Sequence, residues 1–315
     1  MSLIKKAHEL DVQTKIKALI YGQAGTGKST LAISAPKPIL FDFDGGVSRI
    51  NFNHLKEVDT VQIKSYQDFI DVLTKEDLTR YETLVIDTGG KLLDHMAEYL
   101  ISKNPKLGKA NGTLTLQGYG ERKGEFNAMV RKISVMQKHI LFVAHRETRQ
   151  DGDDTRFVPL FGGSNYDSLV TELDLVGYLE ANGRKRVITF DPTSKNDGKN
   201  TCNLPYQIEL PTIVDEHGNP TAPNNFFTEN VIKPYIARLE QRKTTSLEYD
   251  KVIEVIKENI LNVVDEVSAN DFIARIDEFK HIGNSKLVAS KLLSAKCKEL
   301  NLQLNKESKR YEKAA

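Results

Sequence analysis

The stretch "LIYGQAGTGKSTLA", residues 19–32, decides the reading of this chain. An apolar run enters it, a glycine-rich turn fills its centre, and a helix-forming run leaves it. Gly22 to Ser29 fit the pattern G-x-x-x-x-G-K-[ST] without a mismatch. Each position has a physical reason. Gly22, Gly25 and Gly27 permit a backbone whose N–H groups turn inward as an anion cradle, with Gln23, Ala24 and Thr26 between them. A helix starting near Lys28 adds its positive N-terminal end. Lys28 supplies a mobile charge for the β and γ phosphates. Ser29, followed by Thr30, is placed to ligate Mg²⁺. The stretch predicts strand, phosphate-binding loop and helix, with ATP and Mg²⁺ as the ligands.

Outward from the loop, strands and helices alternate. "KIKALIYG" (15–22) reads as a buried strand, "PILFDFD" (38–44) as a second and "VDTVQIK" (58–64) as a third. Ser65 caps a helix whose Tyr66, Phe69, Ile70 and Leu73 fall at helical spacing. "YETLVIDT" (81–88) is a strand and "KLLDHMAEYLI" a helix. Residues 102–124 read as a Gly- and Lys-rich loop, 125–137 as a helix, "HILFVAH" (139–145) as a strand, and 146–168 as a second polar loop. "LDLVGYLEANGRKRVITF" then reads as two strands about the hairpin turn Asn182-Gly183. This order predicts an α/β fold: a mainly parallel sheet flanked by helices, with an antiparallel extension at one edge. From about residue 246 the pattern is helical throughout, and "QRKTTS" (241–246) reads as the junction. The expected division is a core over 1–242 and an all-helical region over 243–315.

Composition sets bounds. The chain has 315 residues, 39% hydrophobic and 28% charged, with a formal net charge of +1. It is no polycation, so a nucleic-acid surface must come from local clustering. Two distant cysteines, Cys202 and Cys297, exclude a disulfide framework or a zinc spacing. The absence of a long apolar run predicts no membrane span and a cytoplasmic setting. Residues 248–278 hold nine acids against three bases, and 280–315 nine bases against three acids. Two mutually attracting helical faces account for that polarity; a basic end for nucleic acid or an acidic peptide is the other reading.

A phosphate-binding loop needs a carboxylate in the magnesium shell. Asp87, ending "TLVIDT", suits that place beside Ser29; the competing role is a cap on the next helix. Hydrolysis also needs a group to orient water. "LFDFDGG" offers Asp44 and Asp42 on one strand face. Asp44 stands nearer the C-terminal edge, where ligands bind in such sheets, and Asp42 competes with it. His145 and Arg146 end the next strand, where His145 can touch the γ-phosphate; a satisfied structural histidine is the plainer alternative.

The order of these parts resembles the RecA-like branch of P-loop ATPases. More narrowly, "YGQAGTGKSTLA", "LFDFDGG", "LVIDT", "LTLQGYGE", "LFVAHRE" and "DPTSKNDGKNTCNLP" resemble phage-encoded, core-only RecA-like recombination ATPases that assist single-strand annealing. The resemblance covers roughly residues 15–210. It implies that Asp44 activates water, although RecA itself carries glutamate there. It implies that the two loops after the Asp87 and His145 strands face DNA, with Lys103, Lys106, Lys109, Arg122 and Lys123 in the first and Arg146, Arg149 and Arg156 in the second. Tyr119 and Phe157 are the candidate stacking residues. It further implies a charged finger from a neighbouring subunit. Lys195 in "SKNDGK" is the candidate catalytic finger, with Lys199 or Arg186 as substitutes, since Asp197 stands where many relatives carry arginine.

The function so implied is a DNA-stimulated ATPase of phage recombination, assembling as a ring or filament on single-stranded DNA. A single-strand-binding protein or host recombinase is its candidate partner. Two rivals use the same core: an accessory ATPase that loads a replicative helicase, and a nucleotide-dependent switch whose tail recruits a protein and has little DNA affinity.

Overall fold

The architecture comes from a computed structural model, which describes residues 5, 9–10, 12–151, 154–162 and 164–313. The chain forms two compact units, Gln13–Ile236 and Met1–Val12 together with Ala237–Ala315.

The larger unit is built on one mixed sheet. Its elements in order are β1 (Lys17–Gly22), α1 (Lys28–Ala32), β2 (Pro38–Asp42), α2 (Phe52–Leu55), β3 (Asp59–Gln62), α3 (Tyr66–Lys75), β4 (Thr83–Asp87), α4 (Gly89–Lys103), α5 (Leu116–Ser134), β5 (His139–Asp151), β6 (Asp154–Pro159), α6 (Ser164–Glu172), β7 (Leu175–Asn182), β8 (Lys185–Thr189), β9 (Lys199–Asn200) and β10 (Gln207–Leu210). The strand order is β10-β8-β7-β1-β5-β4-β2-β3. Pairing is parallel from β7 through to β3, and β8 and β10 continue antiparallel beyond β7. Gly183, at φ 60°, takes the left-handed value that tight hairpins reserve for glycine. This is the RecA-like P-loop arrangement, a mainly parallel sheet with helices on both faces and an antiparallel edge.

Strand alternation explains the layers. Leu19 and Tyr21 of β1 face one core, with Phe69, Leu92, Met96, Phe126 and Leu169 from α3 to α6. Ala18 and Ile20 face the other, with Leu31, Phe226, Phe227 and Ile232. Both faces being covered, the central strands read as continuous apolar runs. Ser65 caps α3 in a reciprocal capping box with Asp68.

Two segments read as loops are ordered elements. In 102–124, α4 runs on to Lys103, Pro105–Leu107 make a 3-10 turn, and α5 starts at Leu116 rather than at 125. Its three early glycines each cost about 1 kcal/mol relative to alanine, which is why the sequence reads as loop. Tertiary packing overrides that cost. Thr115 caps Gly118 N–H at 3.1 Å, and a Cβ on Gly118 would lie 2.5 Å from the Leu107 carbonyl. Among 146–168, β5 continues to Asp151 and pairs with β6 as a hairpin, and α6 starts at Ser164. Alternating polar side chains on a two-stranded ribbon carry no apolar signal to read. Residues 152, 153 and 163 of that segment lie outside the described residues.

The smaller unit contains most of α7 (Lys233–Leu261), then α8 (Glu266–Arg275) and α9 (Ser285–Glu299). Residues 241–246 are helical within α7. The region is helical but not all-helical: β11 (Leu302–Leu304) and β12 (Tyr311–Lys313) close it as an antiparallel hairpin. Strands of three residues are too short for periodicity to register. Leu302 and Tyr311 join Ile256, Phe272, Leu293 and Cys297 in its core.

Candidate nucleotide site

The sheet order brings the predicted residues together. Gly22 is level with His145 across the β1–β5 pair, and Asp87 is level with Asp42 across the β4–β2 pair. Since β5 lies between β1 and β4, the loop after β1 and the acids after β2 and β4 surround the His145 position. They line one cavity of about 190 Å³, whose walls include Lys28, Ser29, Asp44, Asp87 and His145.

The loop is glycine-built for identifiable reasons. A Cβ on Gly22 would lie 2.1 Å from the Leu179 carbonyl of the adjoining strand, and Gly25 and Gly27 adopt φ 78° and 93°. Thr26 Oγ1 and Lys28 Nζ both donate to the Gln23 carbonyl, at 2.9 and 2.7 Å, closing the loop on itself. Lys28 is buried, and burial draws its pKa down against the opposing pull of Asp87 and Asp44. Ala24 and Thr30 stand on the same cavity wall.

Asp87 is buried, which pushes its pKa up to about 6; a hydrogen bond from Ser29 works the other way. Thr88, and not Asp87, is the cap of α4. A carboxylate and a hydroxyl in contact at a cavity wall are hard oxygen donors of the kind Mg²⁺ takes, so the pair fits that ion.

The two acids after β2 differ in placement. Asp42 is buried and turned inward, accepting from Gly46 N–H at 3.0 Å and Val47 N–H at 3.3 Å. Burial, the largest influence, raises its pKa. Asp44 is on the cavity wall and accepts from Gly46 N–H at 2.8 Å. His145 also lines the cavity; burial, then Lys28, lowers its pKa and favours neutral imidazole.

The finger candidates separate. Lys195 is exposed and does not line this cavity; its carbonyl accepts from Phe157 N–H at 2.7 Å. Lys199 Nζ is committed to the Val170 carbonyl at 2.7 Å. Arg186 Nε donates to the Thr26 carbonyl at 3.0 Å, bracing the loop from its own chain.

One contributor, Arg49, escapes a sequence reading, and Arg146 takes a different role from the one expected. Arg49 lines the cavity from the turn after Gly45 and Gly46, with no motif to announce it. Arg146 stacks 4.0 Å over the Phe157 ring, donates to Tyr178 Oη at 2.9 Å and reaches Gln23 Oε1 at 3.5 Å. Phe157 is itself stacked on Tyr178, so it is no free platform; Tyr119 is half exposed with Arg122 over its ring.

Among solved structures, the chain is similar to the RadB recombinase (16% identity, TM-score 0.35, covering 55% of this chain and 79% of that one). It is likewise similar to a solved ATPase domain (12% identity, TM-score 0.40, covering 66% of this chain and 85% of that one). The flagellar accessory protein FlaH from Methanocaldococcus jannaschii is another such structure (10%, 0.36, 62% and 84%). No curated protein matches the chain in sequence. Among the described residues no helix is long and apolar enough to cross a membrane. The model of the AAA domain family AAA_24 matches residues 14–202, which include the phosphate loop, both acid-bearing turns and His145. The chain belongs to this AAA domain family, with a P-loop ATPase domain of RecA-like fold.

Proposed function

We propose that the chain is a magnesium-dependent ATPase that acts on single-stranded DNA in recombination, as a strand-annealing or strand-exchange protein of a phage. The observation that carries the catalytic half is the convergence of Lys28, Ser29, Asp44, Asp87 and His145 on one cavity. Lys28 and the inward amides bind and orient the triphosphate. Ser29 and Asp87 would hold magnesium, which would supply positive charge beside the triphosphate. Asp44 accepts a hydrogen bond from the attacking water and aligns it with the γ-phosphate. His145, neutral and next to Asp44 and Lys28 in charge, reports whether that phosphate is present. Positioning and electrostatics suffice for such chemistry.

The DNA half is supported by the segment between α4 and α5. Lys106 and Lys109 are exposed there and make no ion pair among the described residues, close in sequence to Lys103, Tyr119 and Arg122. Assembly as a homo-oligomer would bring Lys195 to a neighbour's triphosphate and couple turnover to assembly. The ATPase rate measured against single-stranded DNA at two salt concentrations tests the reading. Stimulation that weakens at high salt is expected.

One observation favours a second reading. The arginines of the β5–β6 hairpin are engaged within the chain: Arg146 with Phe157, Arg149 with Glu147, Arg156 with Asp197. A nucleotide-dependent switch that recruits a protein through residues 237–315 needs no DNA surface. Magnesium-dependent ATP binding with no DNA stimulation at either salt level would select it.

A further inference from the structure

Asp44 stands in a turn that does little to hold itself in place. Gly45 follows it at φ 68°, and a Cβ on Gly46 would lie 2.6 Å from Asp44 Oδ1, so the carboxylate folds back over a position that has to be glycine. Two glycines in succession leave the backbone many alternatives on that side. The anchor is on the other side, at Phe43. Its N–H donates to the Asp87 carbonyl at 2.6 Å, and its carbonyl accepts from His95 Nε2 at 3.3 Å. The Phe43 ring is buried, edge-on to Phe69 and to His95, with centroids 5.4 and 5.8 Å away.

His95 comes from α4, the helix that follows Asp87. A carbonyl only accepts, so Nε2 carries the ring proton that meets it. The other ring nitrogen, Nδ1, is buried with no hydrogen-bond partner among the described residues. Among those residues the Phe43 carbonyl is thus the only hydrogen-bond partner of the ring. Methionine or leucine would fill the same space with no polar atom to bury, so packing alone does not account for an imidazole here. What histidine adds is one donor, aimed at the peptide that joins Phe43 to Asp44. That peptide is planar, so holding its carbonyl also fixes the direction in which Asp44 leaves it. His95 does not line the nucleotide cavity and acts on it only through Asp44.

We propose that His95 is a positioning residue for ATP hydrolysis: its Nε2–H holds the Phe43 carbonyl and so keeps the Asp44 carboxylate at a set distance from Asp87 and from the triphosphate. The proposal rests on the reading of Asp44 as the water-orienting acid and adds to it the group that keeps that acid in place. Displacing such a group by about 1 Å costs up to about a hundredfold in rate.

The test compares His95→Gln with His95→Met in the full chain. The two side chains are nearly equal in length and bulk, and only glutamine keeps an N–H donor. Steady-state phosphate release from ATP with magnesium is expected to show kcat lowered about ten- to a hundredfold in His95→Met, KM for ATP within about twofold, and His95→Gln within about threefold of wild type. Retained ATP binding shows that each variant is folded, and His95→Leu is the second donor-free variant should His95→Met fail that check. On top of Asp44→Asn, His95→Met is expected to slow turnover by less than about twofold more, because the group it positions is already gone. Equal kcat in the glutamine and methionine variants overturns the proposal, and so does an undiminished effect of His95→Met on top of Asp44→Asn. If Asp44→Asn alone turns over ATP at the wild-type rate, the reading of Asp44 falls and this proposal falls with it. A slow Asp44→Asn beside a fully active His95→Met removes His95 and leaves Asp44 in its role.

Discussion

The segment between α4 and α5 and the hairpin of β5 and β6 look alike as sequence: polar, glycine-containing and basic. In three dimensions they part company. The first is pinned from beneath by Leu107 and Leu114, both buried, and turns Lys106 and Lys109 outward. The second is a paired ribbon whose arginines find an aromatic ring or a carboxylate on the same chain. Arg156 meets Asp197 at 2.7 Å, and the Asp197 carbonyl accepts from the buried Tyr21 hydroxyl at 2.7 Å, so that pair is built into the sheet's surroundings. A tally of basic residues is therefore no measure of electropositive surface; what decides is whether an acid or a ring is within reach.

That contrast has meaning only if both segments flank a working nucleotide site, so the largest expected effect is at its base. Lys28→Ala should lower ATP turnover at least about a hundredfold, followed as phosphate release, and abolish any response to DNA through either segment. Turnover at the wild-type rate would show that ATP is hydrolysed elsewhere. Asp44→Asn should slow hydrolysis by about 10²–10⁴ with ATP retention within about twofold. Loss of nucleotide affinity instead would pass the water-orienting role to another group.

Replacing Lys106 and Lys109 together with glutamine should sharpen the comparison directly. Single-stranded DNA affinity should fall several-fold, and the slope of log affinity against log salt should drop by about 1.4, about 0.7 for each phosphate left without its lysine. The smallest effect is expected from the other segment. Arg156→Ala should leave DNA binding within about twofold and cost about 1 kcal/mol in urea unfolding, a modest figure because the pair is partly solvated. Should Arg156→Ala weaken DNA binding more than the lysine pair does, the hairpin and not the α4–α5 segment is the DNA surface.

Much of the frame is legible in the residues. The glycines of the phosphate loop are forced by backbone approach and left-handed φ, so their spacing is itself a structural statement. Ser65 with Asp68, and the turn at Gly183, are equally local. Less legible is everything that hangs on a distant partner. The glycines of α5 argue against a helix until Leu107 is seen packed against Gly118. Asp42 and Asp44 are two residues apart, share a strand-face parity and both accept from Gly46 N–H, yet only Asp44 lines the cavity, while Asp42 is buried and also takes the Val47 amide. The short strands β11 and β12 carry no periodicity at all.

By itself the sequence determined the phosphate loop, the alternating α/β order and the antiparallel edge, because each follows from contacts among residues near in the chain. Only the tertiary structure decided that β5 lies between β1 and β4, which sets His145 amid the acids, and that Arg186 reaches back to Thr26 across 160 positions. It also decided that His95 of α4 meets the Phe43 carbonyl beside Asp44. Strand order and long-range closure depend on which apolar faces find each other, and no window of neighbouring residues contains that information.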